Sequence, residues 1–383
     1  MKILQIYELD PVKRIGGVEV AILNLTRNLA ALGHEVTIAC GADTECGEYT
    51  RDSVHFIYLD FCGIVKKIRS HGGLSLARQI AYLPTILSKQ LNGYDIYHGH
   101  LYASGIAANI LARRYGGVAV NTIHGSYYPE WYKLVNPAAA AFYRIAERIL
   151  APALANMSDM QIHTGSYFAQ QVLTWGAETK KIRVIHNGVD SKRFNPKAKK
   201  AISDCQFPVI VTARRLVRKN GVDRLLQAMP QILKNHECKL IVIGDGPERN
   251  NLRRLSEKLS LGQSVEFLGA VPHDDIAKYI ALADIAVVPS IVEASSIFML
   301  EAMAMCKPVV ATEAWGLAEI IDGSNGVITD ADHLGEEISG LLNDEHRLRE
   351  LGMNARKYVI EKHSWEKIAK RVESEYLRLK ERY

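Results

Sequence analysis

The sharpest chemical signal in the chain is a pair of carboxylates eight residues apart, Glu293 and Glu301. Between them, Ala294-Ser295-Ser296 leads into the apolar run Ile297-Phe298-Met299-Leu300. The pattern predicts a helix over 297–305, with Glu301 on its second turn among apolar neighbours. An unpaired charge there is costly, so Glu301 needs a partner. A carboxylate that accepts two hydrogen bonds suits a vicinal diol such as a ribose. The helix start near Ser295 and Ser296 offers free backbone N–H groups and a positive dipole end, which suit a diphosphate. The plainer alternative is a helix cap followed by an exposed glutamate.

The elements that must position these residues alternate. Residues 2–7 read as a short apolar strand, and Gly16-Gly17 lies in the loop after it. Val18, Ile22, Leu25, Leu29 and Leu32 then trace one helical face, Gly33 ends it, and 35–39 start a second strand. Such a crossover favours a parallel sheet. Further strands are expected at 95–98, 118–123, 160–162 and 182–185, with helices between. Residues 190–208 hold Pro196, Pro208 and a Lys197/Lys199/Lys200 cluster with few large apolar side chains, and read as a linker. A second cycle follows, with strands at 208–212, 239–243, 265–267, 283–289 and 308–311 and helices at 222–233 and 297–305. After Ser364 an amphipathic helix carries Trp365, Ile368, Val372, Tyr376 and Leu379 on one face. The fold class expected is α/β: two doubly wound, Rossmann-like parallel-sheet domains facing across a cleft. Ligands of such sheets bind at the carboxyl ends of the strands. The expected division is 1–190, a linker at 191–207, 208–364, and a helix over 365–383 that returns to the first domain.

Composition narrows the class. The 383 residues are 48% hydrophobic and 23% charged, which excludes a disordered or collagen-like chain. A net charge of +5 suits an anionic partner but is too small to indicate nucleic acid. Cys40, Cys46, Cys62, Cys205, Cys238 and Cys306 form no C-x-x-C pair and read as reduced thiols of a cytoplasmic protein. The start of the chain lacks the pattern of a signal peptide, and no run reaches the ~18 uncharged apolar residues of a spanning helix. Residues 61–91 mix Lys66, Lys67, Arg69 and Arg78 with apolar positions. That stretch reads equally as a basic amphipathic surface for anionic lipid and as a solvated helix–loop. His98-x-His100 lacks an evident third metal ligand and is read as structural or cleft-lining. Gly244-x-Gly246 lacks the third glycine of a dinucleotide fingerprint.

Taken together, the motifs resemble those of the family 4 retaining glycosyltransferases of the GT-B fold. The resemblance runs through nearly the whole chain: Gly16-Gly17, Gly33-His34-Glu35-Val36, 95–100, Thr122-Ile123-His124-Gly125, 184–190, Gly244-Asp245-Gly246-Pro247, the Glu293/Glu301 block, Lys307-Pro308-Val309-Val310 and Ser364-Trp365-Glu366. It implies that Glu301 binds the ribose hydroxyls of a UDP- or GDP-linked sugar donor and that Glu293 contacts the donor sugar. A basic pair in 214–221 would neutralise the diphosphate, with Arg215 and Lys219 the first choice. Such cations act on charge that builds in the transition state. His124 would lie near the transferred sugar, and Gly16 and Gly17 would allow close approach of the donor phosphates. Gly244, Val271, Ser295, Ser296 and Ile297 complete the implied donor contacts. No cofactor or metal is implied, and Asp330-Ala331-Asp332 reads as a turn.

Two departures bear on this. Ala294-Ser295-Ser296 stands where many members carry Gly-Phe-Gly. Arg214 replaces a glycine, and counting from Arg215 puts Asn220 at the expected lysine. Either the lysine has moved by one residue, or Arg214 and Lys219 form the pair. The reading is a retaining transferase that moves a hexose-type sugar to a surface-glycan or lipid-linked acceptor. Its expected place is the cytoplasm, with a peripheral contact to the inner face of the membrane. The alternatives are a non-catalytic nucleotide-sugar-binding scaffold and a nucleotide-sugar epimerase of the same fold.

Overall fold

The computed structural model describes residues 1–13, 16–42, 46–60, 76–198, 200–201 and 206–382, with 76–81 as backbone alone. It divides into two compact units, Met1–Asn187 with Trp365–Tyr383, and Gly188–Ser364.

The first unit opens with β1 (Lys2–Tyr7), α1 (Gly17–Ala31) and β2 (Glu35–Gly41), the β-α-β crossover that the apolar spacing predicts. It continues through β3 (Gly47–Arg51), β4 (Val54–Leu59), α2 (Leu76–Leu87), β5 (Ile96–His100), α3 (Leu101–Tyr115) and β6 (Val118–Ile123). Then come α4 (Trp131–Leu134), α5 (Pro137–Met157), β7 (Met160–His163), α6 (Ser166–Thr174) and β8 (Ile182–Val184). The sheet order is β3-β4-β2-β1-β5-β6-β7-β8. All pairs are parallel except β3 with β4, a hairpin that apolar periodicity does not signal. Every residue of β3 is exposed. Its turn uses Asp52 and Ser53 at φ 52° and 61°, positions where Asn-Gly is the recognisable signal.

The second unit holds β9 (Val209–Ala213), α7 (Val222–Asn235), β10 (Lys239–Ile243), α8 (Arg249–Lys258), β11 (Val265–Gly269), α9 (His273–Leu282) and β12 (Ile285–Val288). It ends with α10 (Ile297–Ala304), β13 (Val309–Thr312), β14 (Val327–Thr329), α11 (Leu334–Leu342) and α12 (Glu345–Lys362). Its six strands run in the order β11-β10-β9-β12-β13-β14, all parallel. Apolar clusters cover both faces of this sheet. That explains why its strands read as continuous Val/Ile runs rather than alternating ones. Within residues 191–207, Phe194 is buried in the core of the second unit and Arg193 pairs with Asp274.

The last helix, α13 (Trp365–Lys380), packs with the first unit. Its buried stripe is Trp365, Ile368, Val372, Tyr376 and Leu379. Glu375 meets Arg183 at 3.0 Å, Glu373 meets His34 at 2.7 Å, and Lys380 meets Asp95 at 2.7 Å. Among the described residues, no helix is long and apolar enough to cross a membrane. Residues 61–75, part of the stretch that reads equally as a basic amphipathic surface and as a solvated helix–loop, lie outside the described residues, as does the Arg78 side chain.

Candidate functional site

In the second unit the site is built at the carboxyl ends of β9 and β12. After β12 the chain crosses 289–296 and enters α10, where Ser296 Oγ accepts from Met299 N at 3.3 Å. All eight residues of α10 are buried. Glu301, only 4% exposed, faces His273 at the start of α9, with Oε1 2.5 Å from His273 Nε2. A buried carboxylate has found its partner, and the second oxygen of Glu301 is not part of that bond. His273 escaped sequence reasoning. The available signal was the need for such a partner, since nothing local connects positions 273 and 301.

Glu293 is held from the β9 side. Arg214, one residue beyond β9, places Nη2 2.5 Å from Glu293 Oε2, and its side chain is only 5% exposed. Burial would push Glu293 up, but the charges of Lys219 and Arg214 hold it below the usual carboxylate range. Arg214 Nη2 also reaches Asn220 Oδ1 at 3.4 Å, and Asn220 Nδ2 donates to the Arg215 carbonyl at 2.6 Å. Arg215 itself stands exposed. The structure therefore brings Arg214, Lys219 and Glu293 together, while Asn220 ties the loop to itself. Arg215 enters this cluster through its carbonyl. The Lys219 carbonyl accepts from Ile291 N at 2.8 Å, which locks the basic loop to the segment carrying Glu293.

Three buried donors at this point make no hydrogen bond: Arg214 Nε, Arg214 Nη1 and Ser295 Oγ. Unmade hydrogen bonds of buried groups are expensive, and two of these belong to a cation. With the α10 N-terminus close in sequence to Ser295, the chemistry they fit is an anion with several acceptor oxygens. Gly244 has φ +129° and a Cβ there would lie 1.8 Å from the Arg214 carbonyl, so it shapes the cluster by close approach. Ile297 opens α10 and is buried, while Val271 packs partly buried against the core beside Pro272 and His273. Asp330, in the D-x-D segment, accepts from the backbone of Asp332 and His333, both at 2.9 Å.

In the first unit, Gly16 caps α1 and a Cβ there would meet Glu19 Oε2 at 2.5 Å, while Gly17 has open space around it. Glu19 is held by the Tyr7 hydroxyl at 2.8 Å. His124 follows β6 directly and joins a histidine stack. His98 and His100 rings lie 4.5 Å apart, and His100 and His124 rings 5.1 Å. His98 Nδ1 meets the Tyr376 hydroxyl at 2.5 Å and Nε2 meets Thr122 Oγ1 at 2.7 Å. His100 Nε2 meets Gln5 Oε1 at 2.7 Å, and its Nδ1 meets His124 Nε2 at 2.9 Å. Burial lowers His98 to about 3 and His124 to about 4, and holds His100 well below its ordinary value.

All three are then neutral near pH 7, and with Gln5 Oε1 facing His100 the amide oxygen sets the tautomers of His100 and His124. Gln5 Oε1 only accepts, so His100 carries its proton on Nε2 and offers a bare Nδ1. His124 must donate from Nε2, which leaves His124 Nδ1 as a buried acceptor without a partner. Gln5, Thr122 and Tyr376 were not expected at the site, because their partners lie far away in sequence. Among the described residues, no group of three or more His, Cys, Asp or Glu side chains stands together as a metal site.

Comparison with known proteins gives the family and the fold. The family model for glycosyl transferases group 1 matches residues 194–358, and that for glycosyltransferase family 4 matches 15–193. An uncharacterized glycosyltransferase of Methanocaldococcus jannaschii is 26% identical over 98% of both chains. D-inositol 3-phosphate glycosyltransferase 2 of Catenulispora acidiphila is 27% identical over 89% of this chain and 85% of its own. Among solved structures, a sucrose-phosphate synthase from Thermosynechococcus elongatus superposes with a TM-score of 0.86 at 24% identity, covering 99% of this chain and 98% of its own.

Proposed function

We propose that this chain, which belongs to the group 1, family 4 glycosyltransferases of the GT-B fold, moves a hexose-type sugar from a UDP- or GDP-linked donor to a glycan or lipid-linked acceptor with retention at the anomeric carbon. The observation that carries the reading is the Arg214–Glu293 pair with Lys219 beside it and donors of Arg214 and Ser295 left unused.

The second unit supplies the donor side. Glu301 accepts from the ribose diol, with His273 fixing one of its oxygens. Arg214, Lys219, Ser295 and the N–H groups around Ser296 and Ile297 bind the diphosphate. When the anomeric C–O bond breaks, its electron pair passes to the diphosphate oxygen. Arg214 and Lys219 meet that charge as it develops, which is where stabilisation accelerates the step. These cations do the work a divalent metal does elsewhere, so no metal is required. Glu293, kept ionised by the same cations, accepts hydroxyls of the donor sugar and holds Arg214 in place.

The acceptor oxygen bonds to the anomeric carbon on the face the diphosphate leaves, and its proton passes to the departing diphosphate oxygen. Two close carboxylates of the retaining-glycosidase kind are not needed for that outcome. His124 is on the acceptor side, its bare Nδ1 oriented by Gln5 and His100 to take a hydrogen bond from a sugar hydroxyl. The configuration of the product tests the stereochemistry. Proton NMR of product made from an α-linked donor of gluco or galacto configuration should give the small anomeric coupling of an α-glycoside. A large coupling, that of a β-glycoside, overturns retention.

A further inference from the structure

Helix α5 turns one face away from the unit that carries it. Phe142, Ile145, Ile149 and Leu150 are exposed along it, Ile145 at 61% and Ile149 at 63%. Spacings of three and four place Phe142, Ile145 and Ile149 on a single stripe. The opposite side is already packed, with Ala140, Ala151, Leu154 and Ala155 buried. Within 131–157 the basic residues are Lys133, Arg144 and Arg148 and the one carboxylate is Glu147; Lys133 pairs with Glu130, just before α4, at 2.7 Å, so the positive charge of the face is that of Arg144 and Arg148. Glu147 is buried and accepts from Ser126 Oγ and Trp131 Nε1, both at 2.8 Å. The outer surface therefore combines large apolar side chains with positive charge and no exposed acid. Aromatic rings continue it inward. Phe142 lies 5.6 Å from Tyr143, Tyr143 lies 4.4 Å from Trp131, and Trp131 lies 4.8 Å from Tyr127 in the loop after His124.

We infer that the outer face of α4 and α5 is a docking surface for an anionic lipid bilayer, with α5 lying in the headgroup plane. Arg144, Glu147 and Arg148 interrupt the middle of the helix, so its apolar face is suited to the interface and not to crossing it. The exposed Tyr132 and the Trp131 and Tyr143 rings are the side-chain types that rest at such a boundary. Charge complementarity favours this occupant over a second copy of the chain. Two such faces brought together would set Arg144 and Arg148 against the same arginines, with Glu147 buried and Glu130 already paired to Lys133. A negatively charged bilayer answers them directly. The inference deepens the acceptor side of the proposed function, because a bilayer-borne acceptor would arrive where the aromatic run reaches the His124 loop. Bilayer binding is read without sugar transfer, so it stands or falls separately from that reading.

The test is sedimentation of the full-length protein with vesicles of phosphatidylcholine alone and of phosphatidylcholine mixed with phosphatidylglycerol. Wild type should bind the mixed vesicles, less so as salt rises, and bind phosphatidylcholine weakly. The double variant Ile145→Glu/Ile149→Glu should lose about tenfold or more in affinity, and Arg148→Glu should weaken binding too. These positions are exposed, so circular dichroism should be unchanged, and the milder Ile149→Ser serves if the double variant does not fold. Failure of wild type to bind the mixed vesicles overturns the inference. So does equal binding by wild type and variants. A wild-type dimer that the double variant converts to monomer, without vesicle binding, overturns it in favour of an interface between copies.

Discussion

At Glu293 the stability of the second unit meets its proposed chemistry. Its carboxylate sits below the ordinary range because Lys219 and Arg214 outweigh the cost of burial. A depressed acid contributes stability above its unfolded value and loses it as pH falls through its folded value. Glu293→Gln should therefore cost about 3 kcal/mol near neutrality by leaving Arg214 buried without its counter-ion. Its stability should also fall less than that of wild type as pH drops below the carboxylate range, as read by urea unfolding at a series of pH values. An identical acid dependence in both proteins would remove the pair from the account. The histidine stack carries the same sign over a different window. His98 at about 3 and His124 at about 4 are neutral in the folded chain, while unfolded histidines protonate near 6.5. The unfolded chain takes up more protons as pH falls from about 6.5 toward 4, so the melting temperature should drop over that window. His98→Asn should flatten part of the slope.

Loops between a strand end and a helix start do the positioning, and their geometry is exacting. Gly221 opens α7 at φ +63°, and a Cβ there would lie 1.9 Å from the Pro289 carbonyl. Gly221→Ala should therefore cost at least about 2 kcal/mol from left-handed backbone strain and the clash. It should also weaken nucleotide binding, because the loop with Lys219 and the segment leading to Glu293 are packed against each other there. Calorimetric titration with UDP and GDP measures that loss, and unchanged affinity would mean the loop is not part of the donor site. The elements of this region were largely legible: the strand–loop–helix rhythm, the apolar helix carrying Glu301 and the basic loop all follow from local pattern. What was not legible lies in long-range pairing. Nothing near Glu301 names His273, nothing near His98 names Tyr376, and the choice between Arg214 and Arg215 depends on which way the chain turns after β9. The β3 hairpin is silent in the sequence for a different reason, since an edge strand with no buried face leaves no apolar alternation to read.

At the scale of the molecule, the chain completes its first unit last. Helix α13 buries Tyr376 against His98 and ties Glu375 to Arg183, partners 278 and 192 residues away in the sequence. Ending the chain after Ser364 should strip that unit of a buried apolar stripe and expose the histidine stack. Thermal unfolding of the truncated protein should then show a low-temperature loss of the first unit, while nucleotide binding by the second unit persists. A single transition unchanged from wild type would contradict this. Charge supplied by Arg214 and Lys219 carries a second consequence, that sugar transfer should continue at about the same rate in excess EDTA. A collapse restored by added magnesium would show that the cations on the chain do not suffice.

The proposed function requires this chain to break the bond between a sugar and a nucleoside diphosphate, with Glu301 holding the nucleoside. Its most direct test incubates purified protein with UDP-, GDP- and ADP-linked sugars, without acceptor, and follows release of nucleoside diphosphate over hours in wild type and Glu301→Ala. Wild type should release nucleoside diphosphate slowly from one UDP- or GDP-linked donor, and the variant should not. Equal release by both proteins, or the absence of both release and binding for every donor, would contradict the proposed function.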